Sequence, residues 1–296
     1  MNADPGFGPL LEVHHLVQSF GGFVAVDDVS LAVGPGEVVG LLGANGAGKT
    51  TVLRIALGLL RPTSGTVRLL GRAPDRTARS RIGYVPQSLG LYADMSVREN
   101  LEFVAAVYGQ PRPRVPDHLA DVSEQLVGRV SLGSQRELAF ACALLHSPQL
   151  VVLDEPTSGL SALGATQLWN TIHERAEAGV GVLVTTHNMQ EAQQCDRLLL
   201  MAGGRLVGTG SEAEIVGGTT AVQAHADDWA HAFDVLSAAA LPVTLAGTDV
   251  RVADVPVEAV QAALEAAGMT AEVRTVPATI EERMTVLAAG TGSADA

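Results

Sequence analysis

The sequence is short of positive charge. Lys and Arg number 19 against 32 Asp and Glu, for a formal net charge of −13. Phosphate backbones are held by clustered Lys and Arg, so this balance argues against a nucleic-acid partner. Cysteine is scarce too, with Cys142 and Cys195 the only two in 296 residues. That argues against a disulfide framework and for reduced thiols. Cys142 lies in an apolar helical pattern and is expected to be a buried structural residue. No uninterrupted apolar run approaches the roughly 20 residues needed to cross a bilayer. The opening residues lack the basic stretch and apolar core of a secretory signal. The chain is therefore expected to be soluble and cytoplasmic, with any membrane role supplied by a partner.

What is present is a large apolar fraction, 47% of the residues, enough for one sizeable domain and a smaller one. Short strands are expected between residues 10 and 42, separated by Gly21-Gly22 and Gly34-Pro35-Gly36. From Lys49 the apolar spacing becomes helical. Strand and helix then alternate to about residue 200, the pattern of a parallel α/β core. Residues 97–109 read as a helix with Ser96 as N-cap, and 117–128 as one further helix-like segment. Around Gly217-Gly218 the character shifts. Residues 219–290 read as strand, helix, strand, strand, helix, strand, a split β-α-β unit of ferredoxin-like type, followed by a helix. The last residues, 291–296, are expected to be a disordered tail.

The segment Gly43–Thr50 (Gly43, Ala44, Asn45, Gly46, Ala47, Gly48, Lys49, Thr50) follows an apolar strand and opens a helix. That is the context a phosphate-binding loop requires. A helix start leaves backbone N–H groups unpaired, and its dipole favours negative charge. Glycines let the backbone curl around a phosphate, Lys49 adds a point charge, and the Thr50 hydroxyl can ligate Mg²⁺. Thr51 can reach a neighbouring phosphate. The ligand this predicts is a nucleoside triphosphate with Mg²⁺, which the family resemblance given below makes ATP.

A second apolar strand ends in Asp154, Glu155 and Pro156. An acid at such a strand end suits a Mg²⁺ ligand, here Asp154. Glu155 is then placed to polarise the attacking water, since in-line displacement at phosphorus needs a positioned base. His187 ends another strand, where parallel sheets read their ligands; a structural histidine is the plain alternative. Gln87, at a further strand end, can orient Mg²⁺ or water, or simply cap a loop.

With these residues in place, the sequence resembles the nucleotide-binding subunits of ATP-binding-cassette transporters from about Leu10 to Ile215. The motifs that carry the resemblance are the phosphate loop, Gln87, a signature-like segment at 130–134, Leu150–Leu160 and Thr185–His187. The resemblance implies an α/β fold: a P-loop nucleotide-binding core with an antiparallel β subdomain and a short helical subdomain, plus a small α+β C-terminal domain. The ATP-binding domain would cover 8–218, with the helical subdomain at about 88–145. By position Phe20 matches the aromatic that stacks on adenine, with a core role as alternative. Gln87 matches the Mg²⁺-sensing loop, Glu155 the general base, and His187 the residue that contacts the γ-phosphate. Two cassettes of this family pair head-to-tail, which implies a homodimer or a cassette pair. Each ATP then lies between one phosphate loop and the other subunit's signature.

The signature departs from the family pattern LSGGQ. It reads Val130-Ser131-Leu132-Gly133-Ser134. Ser131 and Gly133 keep the hydroxyl and one glycine that would face the γ-phosphate, while Leu132 replaces a glycine and Ser134 a glutamine. This variant, with the small C-terminal domain, is similar to an exporter branch that works with separately encoded membrane permeases. It implies a subunit peripheral on the inner face of the membrane. Ser161 replaces an aspartate that helps connect the two ATP sites, and the segment from Gln87 to Ser131 is shorter than usual. The alternative is therefore an ATP-binding regulatory cassette with weak or no hydrolysis. A cassette acting on ribosomes or DNA is disfavoured by the acidic balance and the single phosphate loop. The transported substrate is not readable from these residues.

Overall fold

The computed structural model describes residues 8–292. The described residues divide into two compact units, with the boundary between Leu206 and Val207. This is earlier than the boundary expected near residue 218. The reason is local: a helix at 212–216, absent from the sequence reading, packs on the last helix of the chain and so belongs with the second unit.

In the first unit three strands, β1 (Leu11–Phe20), β2 (Phe23–Val33) and β4 (Ser64–Leu69), form an antiparallel sheet of order β2-β1-β4. Gly21 and Gly22 turn β1 into β2, which sets Phe20 opposite Phe23. Between them in the chain and β4 come β3 (Val38–Gly43) and α1 (Lys49–Ala56). After β4 follow α2 (Arg76–Arg79), β5 (Ile82–Val85) and α3 (Val97–Val107). Ser96 caps α3 as expected. Its hydroxyl accepts the Glu99 N–H at 3.2 Å, and the Glu99 carboxylate accepts the Ser96 N–H at 2.7 Å, a reciprocal cap. These bonds hold the Glu99 carboxyl below its ordinary pKa.

Residues 117–128 do not form the expected helix. They make two short 3₁₀ turns, Asp117–Val122 and Val127–Arg129. Pro116 starts the first turn and the Leu119 N–H bonds back to the Pro116 carbonyl. Beyond it the chain is drawn to the start of α3 instead: the Ser123 and Gln125 carbonyls accept the Arg98 and Val97 N–H groups at 2.9 and 3.1 Å, bonds that compete with a continued helix. The chain continues through α4 (Leu132–Leu144), β6 (Leu150–Asp154), α5 (Ala162–Glu177), β7 (Gly181–Thr186), α6 (Met189–Ala192), β8 (Arg197–Ala202) and β9 (Arg205–Gly210).

The central sheet has the order β5-β6-β7-β3-β8-β9. The ladders β5/β6, β6/β7, β7/β3 and β3/β8 are all parallel. Its inner strands β3, β6 and β7 are buried along their whole length because both faces are covered. In β6, Leu150 and Val152 join one buried cluster with β1, β2 and α1. Val151 and Leu153, one residue out of step, join another with Phe140 of α4 and Trp169 of α5. A third cluster, including Val97, Leu101, Leu119 and Leu138, forms the core of the helical part. Cys142 belongs to it, and burial pushes its thiol up to about 12. Burial, helped by Glu191 and Asp196, does the same for Cys195. Among the described residues no helix is long and apolar enough to cross a membrane.

The second unit carries α7 (Glu212–Val216), β10 (Thr220–His225), α8 (Trp229–Ala238), β11 (Val243–Ala246), β12 (Asp249–Ala253), α9 (Val257–Ala266), β13 (Glu272–Pro277) and α10 (Ile280–Gly292). Its sheet is antiparallel, of order β11-β12-β10-β13. Residues 291 and 292, expected in a disordered tail, are the end of α10. Residues 293–296 lie outside the described residues.

One buried ion pair ties α10 to this sheet. Arg251 Nε lies 2.6 Å from Glu282 Oε1, with side chains 12% and 2% exposed. Burial alone would raise the Glu282 carboxyl. Hydrogen bonds from Arg251, the Thr279 amide and Thr244 outweigh it, so its pKa falls below the ordinary value. A depressed carboxyl stabilises the fold above its unfolded pKa, about 4.3, and that stability is lost as pH drops through the folded value. Arg251→Met leaves Glu282 buried and unpaired and is expected to cost about 3–5 kcal/mol. Hydrogen exchange checks this: amides of β10 and β12 should lose protection while those of β3 and β7 keep it.

Candidate nucleotide site

Four strand ends of the central sheet supply the site, all at its C-terminal edge. The glycine loop follows β3, Gln87 follows β5, Asp154 and Glu155 end β6, and His187 follows β7. The parallel register sets Leu42 beside Thr186, Asp154 beside Thr185 and Val85 beside Leu153. Residues some 30 to 140 positions apart are thereby brought to one edge.

The loop is built on glycine where no side chain fits. Gly48 has φ +100°, and a Cβ there would come within 2.5 Å of the Ala25 carbonyl oxygen. A Cβ on Gly43 would meet the Met201 carbonyl oxygen at the same distance. Lys49, only 6% exposed, folds back under the loop. Its Nζ donates to the Gly43 carbonyl at 2.7 Å and to the Ala44 carbonyl at 3.1 Å. Burial lowers the Lys49 pKa, and the nearby Glu155 and Asp154 carboxylates oppose that. Ala47 is buried beneath the loop, its N–H bonded to the Ala44 carbonyl at 3.1 Å.

Thr50 and the acidic pair meet across the loop. The Thr50 hydroxyl donates to Asp154 Oδ2 at 3.4 Å. Asp154 is 3% exposed, and its Oδ1 accepts the Thr185 hydroxyl. Glu155 sits with φ +51°, a left-handed conformation that costs a non-glycine residue about 1–2 kcal/mol. Its N–H is held by the Thr185 carbonyl at 3.1 Å and the Thr185 hydroxyl at 3.2 Å. Its carboxylate has two neighbours: Gln87 Nε2 donates to Oε2 at 3.3 Å, and His187 Nδ1 lies 3.1 Å from Oε1.

A cleft of about 470 Å³ is lined by Phe20, Phe23, Ala25, Asn45, Gly46, Gly48, Lys49, Thr50, Thr51, Gln87 and Glu155. Phe20 is half exposed at its mouth, so the core alternative for that ring does not hold. Asp154 and His187 lie behind this lining, reached through Thr50 and Glu155, whereas Ser131 and Gly133 neither line it nor bond to a residue that does. Ser131 caps α4 instead, its hydroxyl accepting the Ser134 N–H at 3.1 Å. Leu132 is exposed there. Ser161 likewise caps α5, accepting the Gly164 N–H at 3.1 Å.

Several participants escaped the sequence reading. Phe23 was signalled by the two-glycine hairpin, which makes it the cross-strand neighbour of Phe20. Thr185 was signalled by its place one residue inside the end of β7. Arg136, Thr157 and Glu191, described below, carried no local signal.

The donor set fits a nucleoside triphosphate with Mg²⁺. Mg²⁺ keeps several waters and takes one or two carboxylates, so one hydroxyl and one buried carboxylate suffice. Among the described residues no group of three His, Cys, Asp or Glu side chains offers a denser cage. A parallel sheet whose strand-to-helix glycine loop buries a lysine opposite strand-end carboxylates defines a P-loop nucleotide-binding protein.

Comparison with known proteins narrows the class. The ABC transporter family model matches residues 26–158. The probable multidrug ABC transporter ATP-binding protein of Escherichia coli is 39% identical over 219 residues, covering 70% of this chain and 38% of its own length. The matched stretch thus spans well under half of that relative. The Nod factor export ATP-binding protein of Cupriavidus metallidurans is 39% identical over 222 residues, covering 70% of this chain and 73% of that protein. A solved ATP-binding subunit of an ABC transporter superposes with TM-score 0.65 at 30% identity, covering 70% of this chain and 91% of that one. The chain belongs to the ABC transporter family of ATP-binding cassettes.

Proposed function

We propose that this chain is an ATP-hydrolysing subunit that powers export through permease subunits encoded as separate chains. The observation that carries this reading is the convergence of Lys49, Thr50, Asp154, Glu155, Gln87 and His187 at one edge of the parallel sheet. The names of the E. coli and Cupriavidus relatives, a multidrug and a Nod factor export protein, support the export direction. The residues that resemblance assigns to a partner contact, Ser131 and Gly133, lie outside the cleft of their own chain. That arrangement suits a second cassette, whose signature would close the site from outside.

Each side chain has a role that its position permits. Loop amides and the third Lys49 N–H hold the phosphates. Thr50, Asp154 and Gln87 would hold Mg²⁺, which when bound neutralises charge on the β- and γ-phosphates. The Glu155 carboxylate orients water and takes its proton as the water oxygen bonds to the γ-phosphorus. The bond from that phosphorus to the β,γ-bridging oxygen breaks, and ADP leaves with its electron pair. His187, beside the Glu155 carboxylate, would contact the γ-phosphate, and Phe20 with Phe23 would offer aromatic faces for adenine.

Phosphate release by the purified chain, with and without Mg²⁺, tests the reading. Mg²⁺-dependent release, and co-purification with a chain of several apolar spans, is the expected result. Tight ATP binding with release no faster than background would instead establish the regulatory cassette. The altered signature, with Leu132 and Ser134 where the family has glycine and glutamine, and Ser161 in place of an aspartate are what favour that second reading.

A further inference from the structure

Two buried ionisable side chains, an arginine and a glutamate whose carboxyl burial pushes above its ordinary pKa, meet the turn that carries Glu155. Arg136, on α4, is 8% exposed. Its Nη1 donates to the Glu155 carbonyl at 3.0 Å and the Pro156 carbonyl at 3.3 Å. Glu191, on α6, is 5% exposed, and its Oε1 accepts the hydroxyl of Thr157, the next residue of the turn. The two side chains are each spent on the turn rather than on each other.

Neither side chain is fully satisfied. Arg136 Nε and Glu191 Oε2 are both buried without a hydrogen-bond partner. Leaving a buried polar group unpaired is costly, and apolar residues of similar volume often serve stability as well or better. What the pair does achieve is geometric. Glu155 holds a left-handed backbone that persists only when its surroundings over-determine it, and Arg136 grips its carbonyl directly. Arg136 lies on the helix that Ser131 caps, and Glu191 lies four residues beyond His187. One turn is therefore tied both to the signature helix and to the His187 segment.

We propose that Arg136 and Glu191 are positioning residues that clamp the Glu155 turn from two sides. Displacement of α4 or of the His187 segment is thereby delivered to the Glu155 carboxylate. The clamp rests on the hydrolytic reading above, since Glu155 placement matters to rate only if Glu155 acts on water.

The test is steady-state ATP hydrolysis by the full chain carrying Arg136→Met, Glu191→Met, both together, Glu191→Gln or Thr157→Val. A small displacement of a catalytic group can cost about 10²-fold in rate. Each single Met variant and Thr157→Val is expected to lose about that factor in kcat, with KM for ATP little changed. Glu191→Gln keeps an acceptor for Thr157 and should recover most of the rate. The double Met variant should lose less than the product of the two singles, because its members act on one turn. Thr157→Val removes no charge and so guards against a charge variant that merely misfolds. Native rates in the variants, a KM rise equal to the kcat loss, a Glu191→Gln variant as slow as Glu191→Met, or multiplicative losses would each overturn the clamp. If the native chain itself hydrolyses no ATP, the hydrolytic reading fails first and the clamp falls with it. Native hydrolysis with unaffected variants removes the clamp alone.

Discussion

Glu155→Gln is expected to slow ATP hydrolysis by about 10²–10⁴-fold, the usual contribution of a positioned general base. The substitution is nearly isosteric. Its carbonyl oxygen can still accept from Gln87 Nε2, and its amino group can face His187 Nδ1, the two neighbours of the native carboxylate. The backbone ties to Thr185 involve no Glu155 side-chain atom and survive. What is lost is the ability to take a proton from water. Nucleotide binding should persist, so Mg·ATP is expected to accumulate in the site and hold two chains together. Size-exclusion chromatography with Mg·ATP should then show the variant at twice its mass, and single-turnover assays should show almost no ADP. Hydrolysis at the native rate would remove Glu155 as the base and leave His187 as the remaining candidate at that edge.

Lys49→Met is expected to weaken Mg·ATP binding by about 10–100-fold, corresponding to loss of one charge-assisted hydrogen bond of about 1.5–3 kcal/mol. The ammonium has three N–H groups. Two are committed to the Gly43 and Ala44 carbonyls, which sets the third for a phosphate oxygen. Burial works against the charge, and Glu155 and Asp154 help to retain it. Methionine keeps the length and apolar contacts of the side chain but supplies no donor. Calorimetric titration with Mg·ATP measures the loss directly. An affinity within twofold of native, with an unchanged circular dichroism spectrum, would place the phosphates elsewhere.

The two variants divide the site's work. On the proposed roles Lys49 holds what Glu155 acts on, so one should change affinity first and the other rate first. A Lys49 variant that binds normally but turns over slowly would mean that its charge acts only in the transition state. That outcome would shift its role from binding to catalysis without moving the site.

Much of the site was legible in the sequence because its chemistry is local. Glycines between an apolar strand and a helix dictate a loop that turns its N–H groups inward, and the lysine and threonine that follow have few other uses there. The acidic pair and His187 were legible because each closes a run of apolar residues long enough for a buried strand. The secondary structure of the central sheet followed from the same contrast. The helix expected over 117–128 did not form because its Ser123 and Gln125 carbonyls bond to the first N–H groups of α3, a distant pairing that local spacing does not show.

Strand order, by contrast, belongs to the tertiary structure alone. Nothing in the spacing of Val85, Asp154 and Thr186 states that their strands lie side by side with β3, yet that order brings Gln87, Glu155 and His187 into contact. The buried partners Thr185, Arg136 and Glu191 were likewise decided by packing, since each meets the Glu155 turn from far away in the chain. The amino-acid sequence by itself determined which groups could bind phosphate and move a proton, because those properties reside in short motifs. Their distances, their burial and the left-handed backbone of Glu155 were decided only when distant segments closed around them, because desolvation and hydrogen bonding across the fold depend on neighbours that chain order does not specify.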